Sequence, residues 1–153
     1  MANTYSKLIV QTVFAVKYRK ALIQSEWKEK LFSVIGNLIN EADCKTYIVN
    51  GVSDHVHCLF GFKPRYALSN VMQTVKSKSS KWVNESGYLK NRFEWQDGFG
   101  AFTYSHSQVD NVFKYIKGQE NHHKKVPFLE EYKKMLEKYE VDFEEKYIFK
   151  LPE

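Results

Sequence analysis

The chain has 153 residues, is 43% hydrophobic and 16% aromatic, and carries a formal net charge of +5, a length that supports one buried core and does not require two. It contains no run of 18 apolar residues, and Met1 to Ser6 lack the order of a signal peptide, so a single domain in the cytoplasm, without a membrane span, is expected over residues 1–153. Residues 1–125 hold 18 Lys+Arg against 10 Asp+Glu, whereas residues 126–153 hold 5 against 8. The basic excess therefore belongs to the body of the domain and points to a polyanionic partner.

Residues 6–18 are rich in β-branched and aromatic side chains and predict a central strand that ends at Arg19-Lys20. Ser25-Glu26-Trp27 offers a cap and an acid for a helix on which Trp27, Leu31, Val34, Ile35, Leu38 and Ile39 recur at helical spacing. Lys45 to Val52 and His55 to Phe62 then read as a hairpin around Ser53-Asp54. Tyr66 to Glu85 carries Leu68, Val71, Met72, Val75, Ser79, Trp82 and Val83 on one helical face, and Gly87 closes that helix.

Gly98 to Ser105 is an apolar run with two glycines, which predicts a strand with a kink or a close backbone approach. Ser107 caps a helix in which Val109, Val112, Phe113 and Ile116 are apolar and Tyr115 and Gln119 stand four apart, with His122-His123 at its end. Residues 126–153 form a C-terminal helix, Phe128 to Tyr139, and an extended tail. The order β-α-β-β-α-β-α-α predicts an α+β fold, a ferredoxin-like antiparallel sheet with helices on one face. Cys44 and Cys58 form no C-x-x-C pair and read as buried free thiols.

Successive strand side chains alternate faces, so His55 and His57 share one face and Val56 and Cys58 take the other. Two imidazoles side by side can hold one metal ion, and they are equally compatible with an ordinary strand. An amide oxygen from Gln119 offers a third ligand and leaves coordination positions open, as a catalytic site requires. Tyr115, one turn earlier, is then a candidate nucleophile, although a phenol with a pKa of about 10 needs a metal or a cation to activate it. His122 and His123 are candidate extra ligands, but beside two lysines at a helix C-terminus they read rather as structural or phosphate-contacting residues. Asp54 is either a turn residue or a group that orients His55.

For the polyanion, residues 63–92 carry seven Lys and Arg against Glu85 alone. Lys76, Lys78, Lys81, Lys90 and Arg92, with Lys117 from the later helix and Trp95 as a base-stacking platform, are the candidate DNA-binding residues, and a solvated lysine face fits the charge alone equally well.

His55-Val56-His57, the run Trp95 to Phe102, and Tyr115-Ile116-Lys117-Gly118-Gln119 followed by His122-His123 resemble, in order and over nearly the whole chain, the single-tyrosine transposases of small bacterial insertion sequences, in the HUH nuclease superfamily. The resemblance implies a ferredoxin-like sheet, a Mg²⁺ or Mn²⁺ ion, and cleavage of single-stranded DNA with hairpin ends through a covalent 5′-phosphotyrosine. It further implies a homodimer whose active sites are completed in trans, with a hinge at Ser105 to Asp110. A non-catalytic or domesticated hairpin-binding protein on the same frame, and a metal-dependent hydrolase of RNA or nucleotides that uses water, are the competing readings.

Overall fold

In the computed structural model, which describes residues 4–123 and 126–144, a four-stranded antiparallel sheet is assembled in the order β2-β3-β1-β4. Its strands are β1 (Leu8–Ala15), β2 (Lys45–Gly51), β3 (His55–Phe62) and β4 (Gly100–Thr103). The central position expected for β1 follows from its sequence: seven of its eight residues are buried, which only a strand covered on both faces and flanked on both edges tolerates.

Val56, Cys58 and Phe60 of β3 and Val10 and Phe14 of β1 face one layer, formed by α1 (Lys28–Glu41) and α2 (Leu68–Ser86). Of the stripes read from the sequence, Leu31, Ile35 and Ile39 of α1 and Val71, Met72, Val75 and Val83 of α2 dock, joined by Phe32, which lay off the predicted stripe, while Val34, Leu38 and Trp82 are only partly buried. Burying each such side chain stabilises the fold by about 1.5–3 kcal/mol before entropy is counted. Helix α1 starts at Lys28, later than the Ser25 cap predicts, because the Gln24 carbonyl accepts from the backbone N–H groups of Trp27 and Lys28 in a turn while the Trp27 side chain is drawn into the core.

The opposite face carries the histidines, and here the sheet is covered by α3 (Val109–Lys117), α4 (Gln119–His123) and α5 (Phe128–Lys138). Val112 and Ile116 of α3 pack on Ile9 and Leu59, and Phe128 and Leu136 of α5 on Val13, Ala15 and Phe102. The single helix expected from Ser107 onwards is interrupted at Gly118, and its entry is fixed by Ser105 rather than Ser107: the Ser105 backbone N–H donates to Gln108 Oε1 at 3.0 Å. The close approach predicted from the glycines of the fourth strand comes from α5, since a Cβ on Gly100 would stand 2.6 Å from the Tyr132 ring. Residues 145–153 of the expected extended tail lie outside the described residues. No helix among the described residues is long and apolar enough to cross a membrane.

Candidate metal and nucleophile site

The β2–β3 turn aims the histidines. Gly51 is required there, because a Cβ would fall 2.2 Å from the His55 carbonyl oxygen. The turn is pinned from the other side by Val16, whose N–H donates to the Asp54 carbonyl at 2.8 Å, and by Ile23, whose N–H donates to the Ser53 carbonyl at 3.0 Å. His55 and His57 emerge fully buried, 0% exposed each, with ring centroids 5.1 Å apart. Phe128 of α5 lies flat over His55 at 3.7 Å. Burial lowers the pKa of His55 to about 4, with Asp54 opposing, so the ring is neutral at physiological pH and available as a ligand.

Each of the two strand histidines has a partner behind it. Asp54 Oδ1 lies 2.7 Å from His55 Nδ1, and Gln11 Nε2 lies 2.8 Å from His57 Nδ1, with the Tyr104 hydroxyl donating to Gln11 Oε1 at 2.7 Å. These partners fix the ring orientations and leave both Nε2 atoms pointing into one space, as outer groups do around a ligating histidine.

Tyr115 and Gln119 reach the same space across the break at Gly118. Asn50 of β2 holds that break against the sheet by donating to the carbonyls of Ile116, at 2.9 Å, and Lys117, at 3.1 Å. Gln119 Oε1 stands 3.2 Å from His55 Nε2, and the rings of Tyr115 and His57 are 6.1 Å apart, centroid to centroid. Tyr115, Gln119, His55 and His57 of one chain are thus brought together, in cis.

Two further residues meet them that the sequence reading placed elsewhere. His123, read as structural or phosphate-contacting, sends Nε2 to within 2.9 Å of Gln119 Oε1, its Nδ1 at 2.7 Å from the Val126 carbonyl. Glu131 of α5, read only as part of the C-terminal helix, is 3% exposed and sits at the centre. Its Oε1 is 3.1 Å from both His57 Nε2 and His123 Nε2 and 3.6 Å from His55 Nε2. Its Oε2 accepts from the Tyr115 hydroxyl and, at 3.3 Å, from Gln119 Nε2. His122 Nε2 is 3.0 Å from Oε2 but out of line for a hydrogen bond. A carboxylate at the fourth position of a helix stripe otherwise made of Leu129, Tyr132, Met135 and Leu136 is the signal that was available for Glu131.

Burial would raise the Glu131 carboxyl, yet the hydrogen bonds of His123, His57 and Tyr115 outweigh it and hold the pKa far below the usual carboxylate range. For His123, too, burial opposes charge and Glu131 more than compensates, so its pKa rises. Tyr115 is raised well above an ordinary phenol by burial and then by its bond to Glu131. The nitrogen and oxygen ligand atoms of His55, His57, His123 and Glu131 all lie within 4.8 Å of one another, a donor set that fits one divalent cation. Beside the phenol, a cavity of about 490 Å³ is bordered by Tyr104, Asn111, Tyr115, His122 and Glu131.

The predicted DNA-binding residues separate into two groups. Trp95 is corrected: it is 7% exposed, its indole donates to Ser79 Oγ at 2.9 Å, and Phe14 and Phe93 pack against its ring, so no base can stack on it here. Lys76 is likewise committed, with its ammonium donating at 2.6 Å to the carbonyls of Gln96 and Gly98. Lys63 and Arg65 are both turned onto Asp43, which shrinks the basic stretch. Lys78, Lys81, Lys90, Arg92 and Lys117 are exposed. Lys78 and Lys81 ride on α2, across the sheet from the histidines.

Residues 4–119 match the family model described as IS200-like transposase. The chain belongs to this family. The IS200 transposase of Salmonella typhimurium LT2 is 28% identical over 124 residues, covering 78% of this chain and 81% of that protein, and the IS200 transposase of Salmonella typhi matches equally. Among solved structures, a candidate transposase of Deinococcus radiodurans R1 superposes with a TM-score of 0.63 at 19% identity, over 78% of this chain and 95% of its own. A REP-associated tyrosine transposase bound to a REP hairpin gives 0.60 at 15% identity, over 82% of this chain and 74% of its own. At these identities the two structures speak for the IS200-like fold alone. The family match ends at Gln119, so His122, His123 and Glu131 lie beyond it.

Proposed function

We propose that the chain is a metal-dependent transposase that cuts and rejoins single-stranded DNA at insertion-sequence ends, with Tyr115 as nucleophile. The observation that carries this reading is the convergence of the Tyr115 hydroxyl, the Nε2 atoms of His55 and His57, and Gln119 on one buried point. Mg²⁺ or Mn²⁺ held by His55, His57 and Gln119 would neutralise charge on the scissile phosphate.

The chain's own residues do the rest. The Tyr115 oxygen forms a bond to phosphorus as the bond from phosphorus to the 3′ oxygen breaks, which leaves a 5′-phosphotyrosine and a free 3′-hydroxyl. The Tyr115 proton passes by way of Glu131 Oε2, its hydrogen-bond acceptor, to the departing 3′ oxygen, which leaves as the hydroxyl. Burial favours the protonated phenol in the free chain, so loss of the proton accompanies attack on phosphorus. Rejoining is the reverse step, with a 3′-hydroxyl attacking the phosphotyrosine.

The partner is single-stranded DNA with hairpin ends, a reading supported by the hairpin held by the structurally similar REP-associated transposase. Lys78, Lys81, Lys90, Arg92 and Lys117 are the exposed cations for its phosphates. The reaction belongs to the cytoplasm and to a homodimer in which α3 can swing about Ser105 to Asp110, so that Tyr115 serves the partner's histidines and the in-cis placement is one of two.

The test is covalent capture on denaturing gels. Tyr115→Phe binds hairpin DNA and yields no adduct, and wild-type adduct yield in that variant would end the assignment. Mixing Tyr115→Phe with His57→Ala restores cleavage only if sites are completed in trans. One observation favours the non-catalytic alternative: with the Glu131 carboxylate against His57 Nε2 and the Tyr115 hydroxyl, the polar groups of the site are already partnered within the chain. Cleavage abolished by chelator and restored by Mn²⁺ excludes it.

A further inference from the structure

We propose that His123 and Glu131 complete the metal centre, which makes the C-terminal helix part of it and gives the site a three-imidazole, one-carboxylate set that takes Mn²⁺ or a similar transition ion in preference to Mg²⁺. This rests on the reading of the histidine pair as a metal site and goes beyond it, because both added residues lie outside residues 4–119, where the family pattern runs.

The placement of protons is what calls for a cation. A neutral imidazole has one N–H and one bare nitrogen, and the partner of one nitrogen decides the other. His55 Nδ1 faces the Asp54 carboxylate and His123 Nδ1 faces the Val126 carbonyl, both of which only accept, so each Nδ1 carries the proton. In the neutral rings that ligate a metal the two Nε2 atoms are then bare, and the atoms they face are oxygens. His123 Nε2 points at Gln119 Oε1 and Glu131 Oε1, at 2.9 and 3.1 Å, and His55 Nε2 points at the same two atoms, at 3.2 and 3.6 Å. Each of these contacts needs a hydrogen or a cation in it; in the metal-free chain a hydrogen on the nitrogen serves the contact of His123 with Glu131, and one cation in the space between serves all of them at once.

His57 joins by a turn of the Gln11 amide. With its oxygen on His57 Nδ1–H and its nitrogen donating to the Tyr104 oxygen, Gln11 frees the third Nε2. The four ligand atoms lie within 4.8 Å of one another, and bonds of about 2.1 Å put opposite donors about 4.2 Å apart, so only a small contraction is needed. Glu131 can ligate through Oε1 and still accept from Tyr115 through Oε2. Gln119 would be a fifth donor beside these four, and a phosphate oxygen would complete the set. Three imidazoles favour a borderline transition ion, whereas Mg²⁺ demands oxygen and holds its water.

Metal-free full-length protein titrated with Mn²⁺ alone, followed by pulsed electron paramagnetic resonance, reads the proposal without a mutant. Three imidazole nitrogens on the ion are expected; two would overturn it. Glu131→Gln, checked for folding by circular dichroism, weakens Mn²⁺ at least tenfold, and His123→Ala reduces the nitrogen count to two; unchanged affinity in the first or an unchanged count in the second also overturns it. Mg²⁺ displaces Mn²⁺ only at tenfold or greater excess, and displacement at equal concentration refutes the preference. If wild type still forms the Tyr115 adduct while these measurements fail, this inference alone falls; if wild type binds no Mn²⁺ and forms no adduct, the reading beneath it falls too.

Discussion

Cys58 follows His57 on β3 and faces the other layer, where burial pushes its thiol up to about 12. A shift from the ordinary value near 9 to about 12 cuts the thiolate fraction roughly a thousandfold at any pH below both. Iodoacetamide at pH 8 should therefore label the half-buried Cys44 and spare Cys58 until the protein is denatured, as intact-mass spectrometry would show. Because the folded pKa is the higher one, the linked stability is fully present below about pH 9 and declines as pH rises towards 12, where the unfolded thiol ionises first. On the other face, Asp54→Asn removes the carboxylate that holds the His55 proton on Nδ1 and should weaken Mn²⁺ binding by about 10–100-fold with little change in melting temperature, read by calorimetric titration.

At the scale of elements, α5 is held at four points: Phe128 on His55, Glu131 among the imidazoles, Tyr132 against Gly100, and Leu136 in the cluster with Val13 and Phe102. Gly100→Ala forces a methyl against the Tyr132 ring and should cost about 1–3 kcal/mol. The expected signature is local: hydrogen exchange rises in residues 128–138 and at His55, while α1 and α2 keep their protection. Uniform loss of protection would show that α5 is not a separately docked element. The Gly118 break has the complementary role, since an α-helix unbroken from Val109 to His123 would fix the angle between Tyr115 and His123 that the bend now sets.

At the scale of the whole molecule, the sheet separates two jobs. Helices α1 and α2 close a mainly apolar layer on one side, in which Ser79 meets the Trp95 indole, and the other side carries every titratable group of the site. The exposed cations on α2 lie across the sheet from Tyr115, so DNA bound there contributes affinity and register rather than chemistry. Replacing Lys78 and Lys81 together with Ala should lower affinity for hairpin DNA evenly across sequences and reduce the slope of log K against log salt by up to about 0.7–0.9 for each phosphate left without its lysine. The adduct rate at saturating DNA should stay at wild type; a fall in that rate would place the lysines nearer the reaction than the fold does.

The frame and half of the site are legible in local pattern. Apolar, β-branched runs and period-3.6 repeats locate every strand and each long helix because burial is a local, repetitive demand, and Gly87 ends α2 with the positive φ expected of it. The His55-Val56-His57 spacing and the interval from Tyr115 to Gln119 likewise carry information in adjacent or near-adjacent residues. The remaining features depend on encounters between distant segments: Glu131 meeting His57, 74 residues away, the burial of Trp95 between Phe14 and Phe93, and the capture of Lys76 by two carbonyls. A glutamate on an amphipathic helix and a tryptophan in a polar loop look like surface residues in one dimension. Packing against the sheet is what puts the one at the centre of the site and the other in the core.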